Sequence, residues 1–112
     1  MCSQEQLTEI AVLLAEETRK ILGEKLETVI LYGSYARGDY DAESDIDIMV
    51  RIICDRDELS VYRKVFNKLA GRLSVENDIS IFITLVDSSS FEKYKSHLPF
   101  YENVEREGVK IA

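Results

Sequence analysis

The chain has 112 residues, 46% of them hydrophobic, and a formal net charge of −7 at neutral pH. That length suits a single domain over 1–112 with one small core, and no apolar run approaches the ~20 residues of a membrane span. The acidic balance argues against a general nucleic-acid binder, which meets phosphates with a basic surface. It leaves room for a nucleotide, because a metal ion can bridge acidic side chains to phosphate.

The start of the chain, Met1-Cys2-Ser3-Gln4-Glu5, has neither a basic stretch nor an apolar one, so no secretory signal is expected and the cytoplasm is the expected place. Cys2 and Cys54 are the only cysteines and form no C-x-x-C. Neither a disulfide framework nor a zinc site is expected from them, and Cys54 reads as a small, partly buried side chain.

In chain order, Ser3 with Gln6 reads as a capping box. Leu7, Ile10, Leu14 and Ile21 then mark one face of a helix that ends near Gly23. Thr28-Val29-Ile30-Leu31-Tyr32 reads as a buried strand. Gly33 to Gly38 leaves it as a short helical turn, followed by a loop over Asp39 to Glu43. A second strand covers Ile46 to Ile53. Asp55 with Glu58 repeats the capping pattern, and Leu59, Tyr62, Phe66, Leu69 and Leu73 recur at helical spacing. Gly71 weakens the end of that helix. A third strand, Asp78 to Val86, places Ile79, Ile81, Ile83 and Leu85 on one face. A helix over Ser89 to Ser96 follows. Pro99 suits the first position of a last helix, Gly108 suits its stop, and Lys110-Ile111 can add a short strand. The expected fold is α/β (α+β): one small mixed sheet flanked by helices. Strand order does not follow from the pattern.

The chemistry concentrates in Gly33-Ser34-Tyr35-Ala36-Arg37-Gly38 and Ser44-Asp45-Ile46-Asp47-Ile48. Gly33 permits a tight turn and close approach of a phosphate, the Ser34 hydroxyl can donate to it, and Arg37 can pair with it. In an extended strand Asp45 and Asp47 point to one face, with Ile46 and Ile48 on the other. Two adjacent carboxylates repel each other unless a cation joins them, and magnesium favours such oxygen donors alongside phosphates. Asp78 is the candidate third acid, able to help activate a nucleophile. No Walker loop is present.

Together these strings resemble the signature of the nucleotidyltransferase superfamily that includes DNA polymerase β. In Leu31-Tyr32-Gly33-Ser34-Tyr35-Ala36-Arg37-Gly38 and in Pro99 to Gly108 the chain is similar to its minimal prokaryotic branch. The resemblance implies that Gly33 and Ser34 hold a triphosphate, that Asp45 and Asp47 bind two Mg2+ ions, and that Asp78 is the third carboxylate. It implies ATP as substrate and a HEPN-domain toxin as partner, the chain being an antitoxin that adenylylates a tyrosine on it. The chain has little length left for an acceptor-binding domain, so the acceptor site is expected on another protein or on a second copy. Two alternatives stay open: an antitoxin that neutralises its partner by binding alone, and a small-molecule nucleotidyltransferase.

Overall fold

The computed structural model describes residues 3–41 and 43–112. Cys2, expected to form no disulfide, and Ala42, expected in a loop, lie outside the described residues.

Helix α1 spans Gln4–Leu22. Ser3 caps it, its hydroxyl accepting from the Gln6 amide at 3.1 Å, a cap worth about 1 kcal/mol. The Gln6 side chain donates to the Asn77 carbonyl at 2.9 Å, tying the start of α1 to a helix far along the chain. Strand β1, Leu26–Tyr32, is followed by the single turn α2, Ser34–Arg37. Strand β2 is Ile46–Ile52. Both halves of the Asp55–Glu58 capping box form, on a 3-10 turn that precedes α3, Leu59–Asn77. Gly71 does not shorten α3, which carries on for another turn and a half.

Strand β3 is Ile81–Asp87, α4 is Ser88–Tyr94, α5 is Pro99–Glu107 and β4 is Val109–Lys110. The sheet runs in the order β3-β2-β1-β4. β2 is antiparallel to β1 and parallel to β3, and β1 is antiparallel to β4. The expected mixed sheet flanked by helices is what forms. The parallel step from β2 to β3 needs a crossover, and α3 provides it.

Strand alternation divides the core between the two faces. Ile46, Ile48, Val50 and Ile52 of β2, all at most 1% exposed, pack with Val29 and Leu31 beneath α1 and α3. Ile30, Met49 and Val86 turn to the other face, where Phe91 of α4 and Val104 of α5 cover them. Arg51 also lies on that face, its guanidinium 4.1 Å above the centre of the Phe91 ring. The C-terminus returns to β1: Ile111 donates to Val29 at 2.8 Å, and the Thr28 hydroxyl donates to Ala112 at 2.9 Å. Among the described residues no helix is long and apolar enough to cross a membrane.

Candidate active site

The uncovered end of the second face holds the motif. Register places Tyr32 of β1 beside Asp47 of β2, and Phe82 of β3 on the other side of Asp47. These three side chains form a row across three strands. Ile30, Met49 and Thr84 form the next row inward, and the Tyr32 hydroxyl lies 3.3 Å from that of Thr84. Asp45 stands just ahead of β2, whose first amide, Ile46, donates to the Ser80 carbonyl at 2.9 Å.

Gly33 makes the turn out of β1 at φ 77°, a left-handed conformation that glycine adopts without penalty. A Cβ there would stand 2.5 Å from the Asp47 carboxylate oxygen. The turn therefore abuts the acid, and any other residue would both strain the backbone and push the Asp47 carboxylate aside. The Ala36 and Arg37 amides both donate to the Gly33 carbonyl at 3.1 Å. The Ser34 side chain, at the head of this turn, has no hydrogen-bond partner among the described residues. Tyr35 is buried and stacks on Tyr40 with ring centres 4.4 Å apart, which clamps the following loop to α2. Asp41 then closes a local turn, its amide donating to the Ser44 hydroxyl at 2.9 Å. Stacking and turn together fix where the chain re-enters the sheet at Asp45.

Partial burial, and then the negative charge of Asp45, push the Asp47 carboxyl above its ordinary value; Arg37 partly offsets this. The two carboxylates are thus close enough to repel. Arg37 is half-committed already, pairing with Asp39 at 3.1 Å and Glu107 at 3.5 Å. Burial also raises the Tyr32 hydroxyl, with Asp47 adding to it.

Asp78 is not where the sequence reading puts it. It does not open β3; it is the C-cap of α3, in the left-handed conformation at φ 51° and ψ 45°. Asp tolerates that conformation, and the chain uses it to turn from helix to strand. Ser74 completes the stop, its hydroxyl accepting from the Ile81 amide at 2.9 Å. Asp78 shares an open groove of about 580 Å³ with Asp45, Ser44 and Ser80. Yet among the described residues no three His, Cys, Asp or Glu side chains are grouped so as to hold one metal. Asp45 and Asp47, with a nucleotide's phosphates as further donors, fit a divalent cation.

Sequence reading overlooked Tyr32, Phe82, Thr84 and Phe100. Phe100 of α5 meets Tyr32 edge-on at 5.5 Å and, with Gly33, Arg37 and Asn103, lines a second hollow of about 220 Å³. The signal for Phe82 and Thr84 was their alternation with Ile81, Ile83 and Leu85, which assigns them to the opposite face.

A glycine turn set against a carboxylate pair, at the open end of a small mixed sheet, is an arrangement suited to nucleotides. Residues 14–110 match the family model described as a nucleotidyltransferase domain, and the chain belongs to that family and is an enzyme of that kind. Two Methanocaldococcus jannaschii proteins, each named "Putative protein adenylyltransferase", are similar to it. One is 36% identical over 95% of this chain and 99% of its own length. The other is 33% identical over 75% of this chain and 76% of its own. The resemblance to the minimal nucleotidyltransferases therefore holds. Two solved structures share the fold. A chain of a toxin–antitoxin crystal structure with AMP-PNP superposes with TM-score 0.55 at 24% identity, covering 93% of this chain and 72% of that one. A chain from a mutant of the MntA-HpeT toxin–antitoxin gives 0.56 at 20% identity, covering 88% and 69%.

Proposed function

We propose that this protein transfers AMP from ATP to a tyrosine hydroxyl of a partner HEPN-domain toxin and silences it by that modification. The observation that carries the reading is the contact between turn and acid: Gly33 has no room for a Cβ because Asp47 is there. A triphosphate on the turn is thereby brought against the carboxylates. The names of the two relatives support a protein acceptor, and the toxin–antitoxin structures support a toxin partner.

In the reaction the acceptor oxygen attacks the α-phosphorus in line. The new O–P bond forms as the bond to pyrophosphate breaks, the electron pair leaves with pyrophosphate, and the acceptor proton passes to solvent. Gly33 and Ser34 seat the triphosphate, and Arg37 exchanges an exposed carboxylate partner for phosphate oxygens. Asp45 and Asp47 would hold Mg2+, which when bound neutralises charge on the phosphates. The chain's contribution is chiefly positioning. Dependence on ATP suits the cytoplasm.

Binding without catalysis is the second reading, favoured by the absence of a three-carboxylate cluster among the described residues. One experiment separates the two. Incubated with α-labelled ATP, Mg2+ and the partner toxin, the protein should label a partner tyrosine, and Asp47→Ala should lose both labelling and neutralisation. Labelling absent with every nucleoside triphosphate, together with unchanged neutralisation by Asp47→Ala, would establish the binding reading instead.

A further inference from the structure

We infer that this chain takes a single divalent cation with its nucleotide, on Asp45 and Asp47, and that Phe82 occupies the place from which a third carboxylate would complete a second cation position. This rests on the nucleotidyl-transfer reading and departs from the two-ion expectation of the sequence.

The argument is one of register. Besides Asp45, a side chain of the sheet that shares a cation with Asp47 projects from a neighbouring strand on the same face and at the same level. On β1 that position is Tyr32, and on β3 it is Phe82. Neither is an acid. The next same-face position on β3 is Thr84, and its hydroxyl already lies against that of Tyr32. Asp78 cannot substitute from the strand, because it precedes β3 as the cap of α3 and belongs to no three-acid group among the described residues.

Two cations bound 3.5–4 Å apart, the usual spacing of a two-metal site, repel strongly and need a bridging acid plus separate anionic donors for each. Asp45, Asp47 and the phosphates can satisfy one ion. A second would have Phe82 at its flank. The Phe82 side chain is nevertheless displayed, not buried: the residue is 55% exposed on the open end of the sheet. Its exposure means that an acid could replace it without opening a cavity.

The test is electron paramagnetic resonance and equilibrium binding with Mn2+ and AMP-PNP. The wild-type protein should take up one nucleotide-dependent Mn2+ and give the six-line spectrum of an isolated ion. Phe82→Asp should take up a second and show the spin-coupled spectrum of a pair. Asp78→Asn should match wild type. Two coupled ions in the wild-type protein, or loss of an ion in Asp78→Asn, would overturn the inference and leave the nucleotidyl-transfer reading standing. Absence of any nucleotide-dependent Mn2+ binding would remove both.

Discussion

Asp47 carries a charge that the fold disfavours. Burial and the neighbouring Asp45 disfavour its ionised form in the folded protein, raising its carboxyl above the value of the unfolded chain. The sign of the linkage follows. Above the folded value the charge is carried at a cost to stability, and as pH falls toward the unfolded value that cost disappears. Asp47→Asn should therefore make the protein more stable at pH 7, by about 0.5 kcal/mol once solvent screening is allowed for, while abolishing cation binding. Urea denaturation at a series of pH values below 7 checks this, the gap between variant and wild type narrowing as pH falls toward the ordinary carboxylate range. Such a trade between stability and function is common at active sites.

At the scale of elements, α5 and β4 form a clip that holds the end of the chain to the sheet. Gly108 joins them, and a Cβ there would collide with the Ile30 side chain and the Val104 carbonyl. Here glycine is needed for close approach. Gly108→Ala should destabilise the protein by roughly 1–3 kcal/mol through overpacking, read as a lower melting temperature, with Phe100 displaced from Tyr32. The legibility of elements followed the same logic of local against distant forces. Helices α1 and α5 were readable from Ser3, Pro99 and Gly108, because caps and stops act within a turn of the residues that make them. The Asn77-Asp78 step was misread as a strand start. An acid before an Ile-x-Ile alternation looks the same whether it opens the strand or caps the helix before it, and only Ser74 reaching the Ile81 amide settles the matter.

For the molecule as a whole, β2 is the hub. It lies between β1 and β3, it carries core residues on both faces, and Ile46, Met49, Val50 and Ile52 are each 0% exposed. The site sits where this most buried strand emerges. Native-state hydrogen exchange should find the slowest amides in β2, which is hydrogen-bonded to a strand on either side. The buried core thus runs up to Ile46, between Asp45 and Asp47 in the chain.

The sequence by itself determined the helices and strands, apart from the step between α3 and β3, and the face of β2 that carries acid. Each depends on periodicity or on residues a few positions apart, and such interactions are written locally. Tertiary structure alone decided the strand order, the row Tyr32–Asp47–Phe82, and the exclusion of Asp78 from that row. Those depend on register between strands 35 residues apart in the chain, and register is set by how whole faces pack, with β2 and β3 sliding until Ile46, Ile48, Ile81 and Ile83 meet beneath the helices.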